Sequence, residues 1–129
     1  MREIRRARPE TLKWKKKFRD GVFARDGRIC RMEIWNGYGW FEHGIKGSAS
    51  NPIDPSHIYP STQCGSVKGE PIVGIASCRD CHRRYEGKLR DHAVRVPPDR
   101  EEAAYRLITI AVTKWRVARK LPPARPEAA

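Results

Sequence analysis

The chain has 129 residues, with 27 Lys and Arg against 15 Asp and Glu, for a net charge of +12. That length suits one domain with a modest core, and so large a surplus of positive charge points to a polyanion such as DNA or RNA. No apolar run approaches the ~18 residues of a membrane span, and "MREIRRARPE" has no apolar stretch behind its charges, so neither a membrane partner nor a secretory signal is expected.

A cytoplasmic chain keeps its thiols reduced. Cys30, Cys64, Cys78 and Cys81 therefore read as metal ligands or plain thiols rather than disulfides. The charge is uneven. Residues 1–31 carry twelve basic and four acidic side chains, 32–87 carry five and six, and 88–129 carry ten and five. Two basic arms thus frame a nearly neutral centre that holds most of the Cys and His residues.

The first predicted element is a basic helix. In "TLKWKKKFRDGVFARDG" Trp14, Phe18 and Val22 recur every four residues and share one face. Lys13, Lys15, Lys16, Lys17 and Arg19 occupy much of the rest. The aromatic stripe reads as core rather than as a platform for stacking bases. Residues 36–56, "NGYGWFEHGIKGSASNPIDPS", are rich in Gly, Ser, Asn and Pro and read as loops. "HIYP" is a short strand candidate, "STQCGSVKGEP" a polar loop, and "IVGIAS" a buried strand that ends at Cys78. A helix-like segment follows from "CRDCHRRYEG". The last element is a helix after Pro97-Pro98, with Asp99 and Glu102 in a capping-box pattern. Ala104, Leu107, Ile108, Ala111, Trp115 and Ala118 form its apolar stripe. Residues 121–129, "LPPARPEAA", read as a disordered tail.

Cys78-x-x-Cys81 supplies two of the four donors that tetrahedral zinc needs. Cys30 and Cys64 are the natural others, although neither belongs to a second CxxC pair; "CRME" has Glu33 where one would stand. Four free, partly buried thiols are the alternative. His82 and Glu86 lie one helical turn apart and can share a divalent ion or form a surface ion pair. His43 and His92 have no evident partner and read as ordinary polar residues.

Taken together, "DPSHIYP" (54–60) and "GIASCRDCHRRYEG" (74–87) resemble the HNH endonuclease family. His57-Ile58-Tyr59-Pro60 is similar to the histidine-bearing first strand of that family. Cys78-Arg79-Asp80-Cys81-His82 is similar to its CxxCH helix start, and "FARDGRIC" (23–30) to its upstream segment. The resemblance implies an α+β fold: a small ββα-metal (His-Me finger) core at about 54–90, flanking N- and C-terminal helices, and a zinc staple, all within one domain of residues 1–120. It further implies metal-dependent hydrolysis of DNA phosphodiesters. His57 would be the general base, and His82, Glu86 and Asp54 would hold Mg²⁺ or Mn²⁺, with Ni²⁺ or Zn²⁺ as other ions a His-containing site accepts. Arg83 and Arg84 would contact DNA phosphates, and a protein partner could target the cut. The family often has Asp or His just before the first histidine and Asn nine residues before the last one. Here Ser56 and Val73 stand at those places. A non-catalytic zinc-stapled nucleic-acid-binding module on the same fold is the alternative function, and an RNA-associated basic protein is a further one.

Overall fold

The structure, a computed structural model, describes residues 8–86 and 91–122. It is a small α+β arrangement of three helices and two small antiparallel sheets. Helix α1, Pro9–Asp26, starts with Pro in its first turn, where a missing N–H costs nothing. It stops at Gly27, whose φ of 69° suits glycine, and the Gly27 N–H closes on the Phe23 carbonyl. Phe18 and Val22 are buried as their spacing predicts, and Trp14 and Phe23 pack half-buried beside them.

Residues 36–56 differ from the loop expectation. Strand β1 (Glu33–Trp35) and strand β2 (Trp40–Glu42) form a hairpin. Asn36 Oδ1 accepts the N–H groups of Tyr38 and Gly39 and so builds the turn. Strand β3, Ile53–His57, runs through Pro55, which had argued for a loop. It pairs only with β4, Gly74–Cys78, in a two-stranded sheet, and such an edge tolerates a residue without an N–H. His57 is thus the last residue of its strand rather than the first of a strand over "HIYP". Three short 3-10 turns (61–63, 65–67 and 71–73) join the two strands.

Helix α2, Arg79–Glu86, follows β4 directly. Its first turn finds side-chain acceptors. Asn51 Oδ1 takes the Asp80 N–H at 2.9 Å, and Cys78 Sγ takes the Cys81 N–H at 3.4 Å. Strand β5 (Val94–Arg95) returns to β1, giving the order β2-β1-β5. Helix α3, Pro98–Ala118, packs over the 3-10 turns. Its expected capping box does not form. Pro97 occupies the cap position without a side-chain bond, and Asp99 lies inside the first turn, where an acid favours the helix dipole. Of its apolar stripe Ala104 is fully buried and Leu107 and Ile108 pack on the core, while Trp115 is 49% exposed. Most of the expected tail, residues 123–129, and residues 87–90 of the expected core lie outside the described residues.

One buried charge ties these parts together. Asp26, 1% exposed, ends α1 and accepts from Nε and Nη2 of Arg25 at 2.8 Å, from Arg100 of α3 at 2.8 Å and from the Ala76 N–H of β4 at 3.0 Å. Burial alone would raise its pKa; the Arg25, Ala76 and Arg100 contacts more than offset this and hold the carboxyl below its ordinary value.

Candidate active site and metal centre

Two sites are built around the β4–α2 unit. The first gathers Cys30, His43, Cys78 and Cys81, whose donor atoms all lie within 4.8 Å of one another. The hairpin supplies the first two. Its ladder continues below β1 and β2, with the His43 N–H on the Met32 carbonyl and the Cys30 N–H on the Ile45 carbonyl, both at 2.9 Å. Cys78 ends β4 and Cys81 lies in the first turn of α2.

His43 Nδ1 lies 3.6 Å from Cys78 Sγ and 3.3 Å from Cys81 Sγ. A tetrahedral zinc with ordinary bond lengths separates a nitrogen from a sulfur by about 3.5 Å, so this Cys3His set fits zinc in both chemistry and spacing. The three thiols are buried and His43 is half-buried. A hydrogen bond from Cys81 lowers the Cys30 thiol to about 5 against the opposing effect of burial, with N–H groups of Cys78 and Met32 adding to the fall. That same bond and burial push Cys81 up. The cluster therefore favours at least one thiolate, the form that binds metal.

The structure corrects the expected ligand list at one place. Cys64 is buried elsewhere, with its Sγ directed to the Tyr59 and Pro60 carbonyls at 3.6 and 3.5 Å, and His43 completes the set in its stead. His43 is thirteen positions from Cys30 with no motif linking them. The usable signal was Asn36-Gly37 between "MEIW" and "GWFEH", a hairpin pattern that brings Met32 opposite His43.

The second site is a cleft of about 770 Å³ whose lining includes His57, Tyr59, His82, Tyr85, Glu86 and Glu101. His57 enters it from the end of β3. Its Nε2 lies 2.8 Å from the Lys68 carbonyl. A carbonyl only accepts, so Nε2 carries the proton and Nδ1 keeps its lone pair. The ring stacks on Phe18 with centroids 3.9 Å apart and planes 4° from parallel, and meets Trp14 edge-on at 5.8 Å. Burial pulls the His57 pKa below its ordinary value and His82 adds to the fall, opposed by the Lys68 carbonyl and Glu86. The imidazole is therefore neutral at pH 7.

His82 and Glu86 meet as their spacing predicts, with Nε2 and Oε2 2.8 Å apart. Asp54 does not join them on that side. It lies 3.7 Å from the other ring nitrogen, Nδ1, and outside the cleft lining. Its carboxylate is engaged by Arg79 at 3.2 and 3.3 Å. Glu86 and Asp54 thus flank the His82 imidazole from opposite sides, and the three expected ligands of the catalytic ion do not converge on one point. Among the described residues only the Cys3His group brings three or more such donors together.

Arg84 pairs with Asp91 at 2.7 Å and Asp80 at 3.8 Å. Arg83 is exposed. Ser56 is buried, its hydroxyl 2.6 Å from that of Ser77. Val73 is buried too, and its carbonyl accepts the Ile58 N–H. His92 is exposed on the segment before β5, as an ordinary polar residue. Glu101 reaches the cleft from α3, and no local pattern in the sequence marked it.

No family model, curated protein or solved structure matches this chain. No helix among the described residues is long and apolar enough to cross a membrane.

Proposed function

We propose that this protein is an HNH-type DNA endonuclease in which His57 activates the attacking water. The observation that carries the reading is the pinned tautomer: the Lys68 carbonyl holds Nε2–H, and the basic Nδ1 belongs to a neutral ring that lines a cleft. Such a ring can accept a proton from water near neutral pH. The order of elements supports the same reading. A histidine ends the first strand of an antiparallel pair, and a second histidine follows one turn into the next helix, facing the same cleft. Helix α1, which packs Phe18 on His57, also carries exposed Lys13, Lys15, Lys16 and Arg19, a face suited to a phosphate backbone. The zinc expected at the Cys3His group would brace the start of the helix that presents His82.

The Mg²⁺ or Mn²⁺ that the HNH resemblance implies finds two donors on the cleft side, His82 and Glu86. The full expected set does not fit, because Asp54 is turned to Arg79. That fact favours the second reading, a zinc-stapled nucleic-acid-binding module without catalysis. Supercoiled plasmid incubated with wild type or His57→Ala, across Mg²⁺, Mn²⁺, Ni²⁺ and Zn²⁺, separates the two. The nuclease reading expects nicking by wild type, a fall of about 10²–10⁴ in rate for His57→Ala, and unchanged DNA affinity at fixed salt. Salt-dependent DNA binding with no cutting in any metal would establish the binding module instead.

A further inference from the structure

We infer that Phe18 and Trp14 of α1 are positioning residues for His57, which together with the Lys68 carbonyl fix the plane and tautomer of its ring; the catalytic consequence rests on the nuclease reading, the geometry does not. A histidine at a strand end can flip its ring and exchange Nδ1 for Nε2. A base that must present one nitrogen needs something to stop the flip. In the resembled family an Asn helps brace this region, and here Val73, a buried hydrocarbon, stands at that position.

Three contacts take over. Phe18 covers the ring face at 3.9 Å and only 4° from parallel, which resists tilt. It reaches there because Gly74, the cross-strand partner of His57, has no side chain: a Cβ on Gly74 would lie 2.3 Å from Phe18 Cε2. The Lys68 carbonyl holds Nε2 at 2.8 Å. Trp14 closes the edge and also holds the segment that bears this carbonyl. The Lys68 ammonium lies 5.0 Å from the indole centroid, and a Cβ on Gly69 would come within 3.2 Å of Trp14 Cβ. Trp14 therefore meets the imidazole with its ring and, through its Cβ and backbone, lies beside the segment whose carbonyl accepts the Nε2–H. The aromatic stripe of α1 is core and clamp at once.

The titratable and charged groups around His57 are Glu86 and His82 from α2, the Lys68 end of the connecting loop, and Glu101 from α3, which lines the same cleft; α1 presents the rings of Phe18 and Trp14. Removing that hydrocarbon admits water. It should move the His57 pKa up toward the ordinary ~6.5 and mix the tautomers.

The test uses the ¹⁵N-labelled full chain. Imidazole nitrogen shifts of His57 are followed through a pH titration in wild type, Trp14→Leu, Trp14→Phe and Phe18→Leu, with circular dichroism to confirm folding. Wild type should show the Nε2–H tautomer and a midpoint below ~6.5. Trp14→Leu and Phe18→Leu should show mixed tautomers and a raised midpoint, and Trp14→Phe should restore most of the wild-type behaviour. In plasmid cleavage the two Leu variants should lose on the order of 10–100-fold in kcat at unchanged KM, as for a misplaced catalytic group, and their acid limb should move to higher pH. Phe18 is buried, so if Phe18→Leu fails to fold, the half-buried Trp14→Leu decides the matter alone. Wild-type tautomer and midpoint retained in folded Trp14→Leu would overturn the inference. A clamp seen by NMR in a protein that cuts nothing would uphold it and remove the nuclease reading instead.

Discussion

Exchanging one donor of the Cys3His group separates the two ligand lists. His43→Ala opens one of four coordination positions, and Cys64→Ser leaves all four intact. Zinc binding in small closed sites is coupled to folding and contributes about 10–16 kcal/mol of apparent free energy. A domain of this size has a total stability of only about 5–15 kcal/mol, so a weakened site is felt by the whole fold. The structure shows where. The group joins the base of the β1–β2 hairpin to the β4–α2 junction; outside it the hairpin is tied by the short β5 pairing, Glu33↔Arg95 and Ile34↔Val94, and by the Trp35 N–H on the Ala93 carbonyl and the Arg31 N–H on the Ala76 carbonyl. We expect His43→Ala to lose zinc and at least about 3 kcal/mol of stability, in the upper range for a single substitution, or roughly 10 °C in Tm. Cys64→Ser should cost about 1 kcal/mol, because a hydroxyl can donate to the Tyr59 and Pro60 carbonyls that the thiol now faces. Elemental analysis of zinc per chain, with thermal melts before and after chelator, reads both outcomes. Stoichiometric zinc in His43→Ala, or its loss in Cys64→Ser, would refute the assignment.

Asp26→Asn should cost about 2–4 kcal/mol in urea unfolding at pH 7, somewhat below a fully buried pair because Arg25 and Arg100 keep 36% and 28% of their side-chain exposure. Its folded pKa is depressed, so the contribution of the carboxylate is complete above the unfolded value of about 4 and fades as pH falls through the folded one. Wild type should therefore lose this part of its stability only below about pH 4, and Asp26→Asn should show a flatter acid limb; identical limbs would contradict the assignment. Glu86→Gln should raise the Mg²⁺ or Mn²⁺ concentration needed for plasmid nicking, whereas Asp54→Asn, outside the cleft, should leave it unchanged; an equal shift in both would place the ion between them after all. Gly74→Ala forces a Cβ into Phe18 and Val22 and should cost about 1–3 kcal/mol by overpacking, read by urea midpoint; a neutral result would mean that α1 moves freely away from β4.

Patterns contained in one stretch of chain were legible. The period-four stripe of α1 put Phe18 and Val22 in the core because a helix face is set by spacing alone. Cys78, Cys81, His82 and Glu86 fell where a strand ending in CxxC followed by a helix must put them, and His82 meets Glu86 through the i,i+4 geometry of that helix. Cys30 joins Cys78 and Cys81 as the cysteine count suggested.

What the sequence could not decide were choices between chemically similar residues distant along the chain. Cys64 and His43 are both plausible zinc donors by type. Only the register of the β1–β2 hairpin, which carries His43 opposite Met32, and the turn after Pro60, which takes Cys64 away, selects one. Asp54 precedes His57 by three residues, yet the partner that captures it, Arg79, arrives through β3–β4 pairing. The bond that gives His57 its tautomer comes from a backbone carbonyl, which every residue has and no residue type announces. Helical neighbours are a matter of local geometry, so the sequence by itself determined them. Donor sets, ion pairs and tautomers depend on which strands align and at what register, and the tertiary structure alone supplied that.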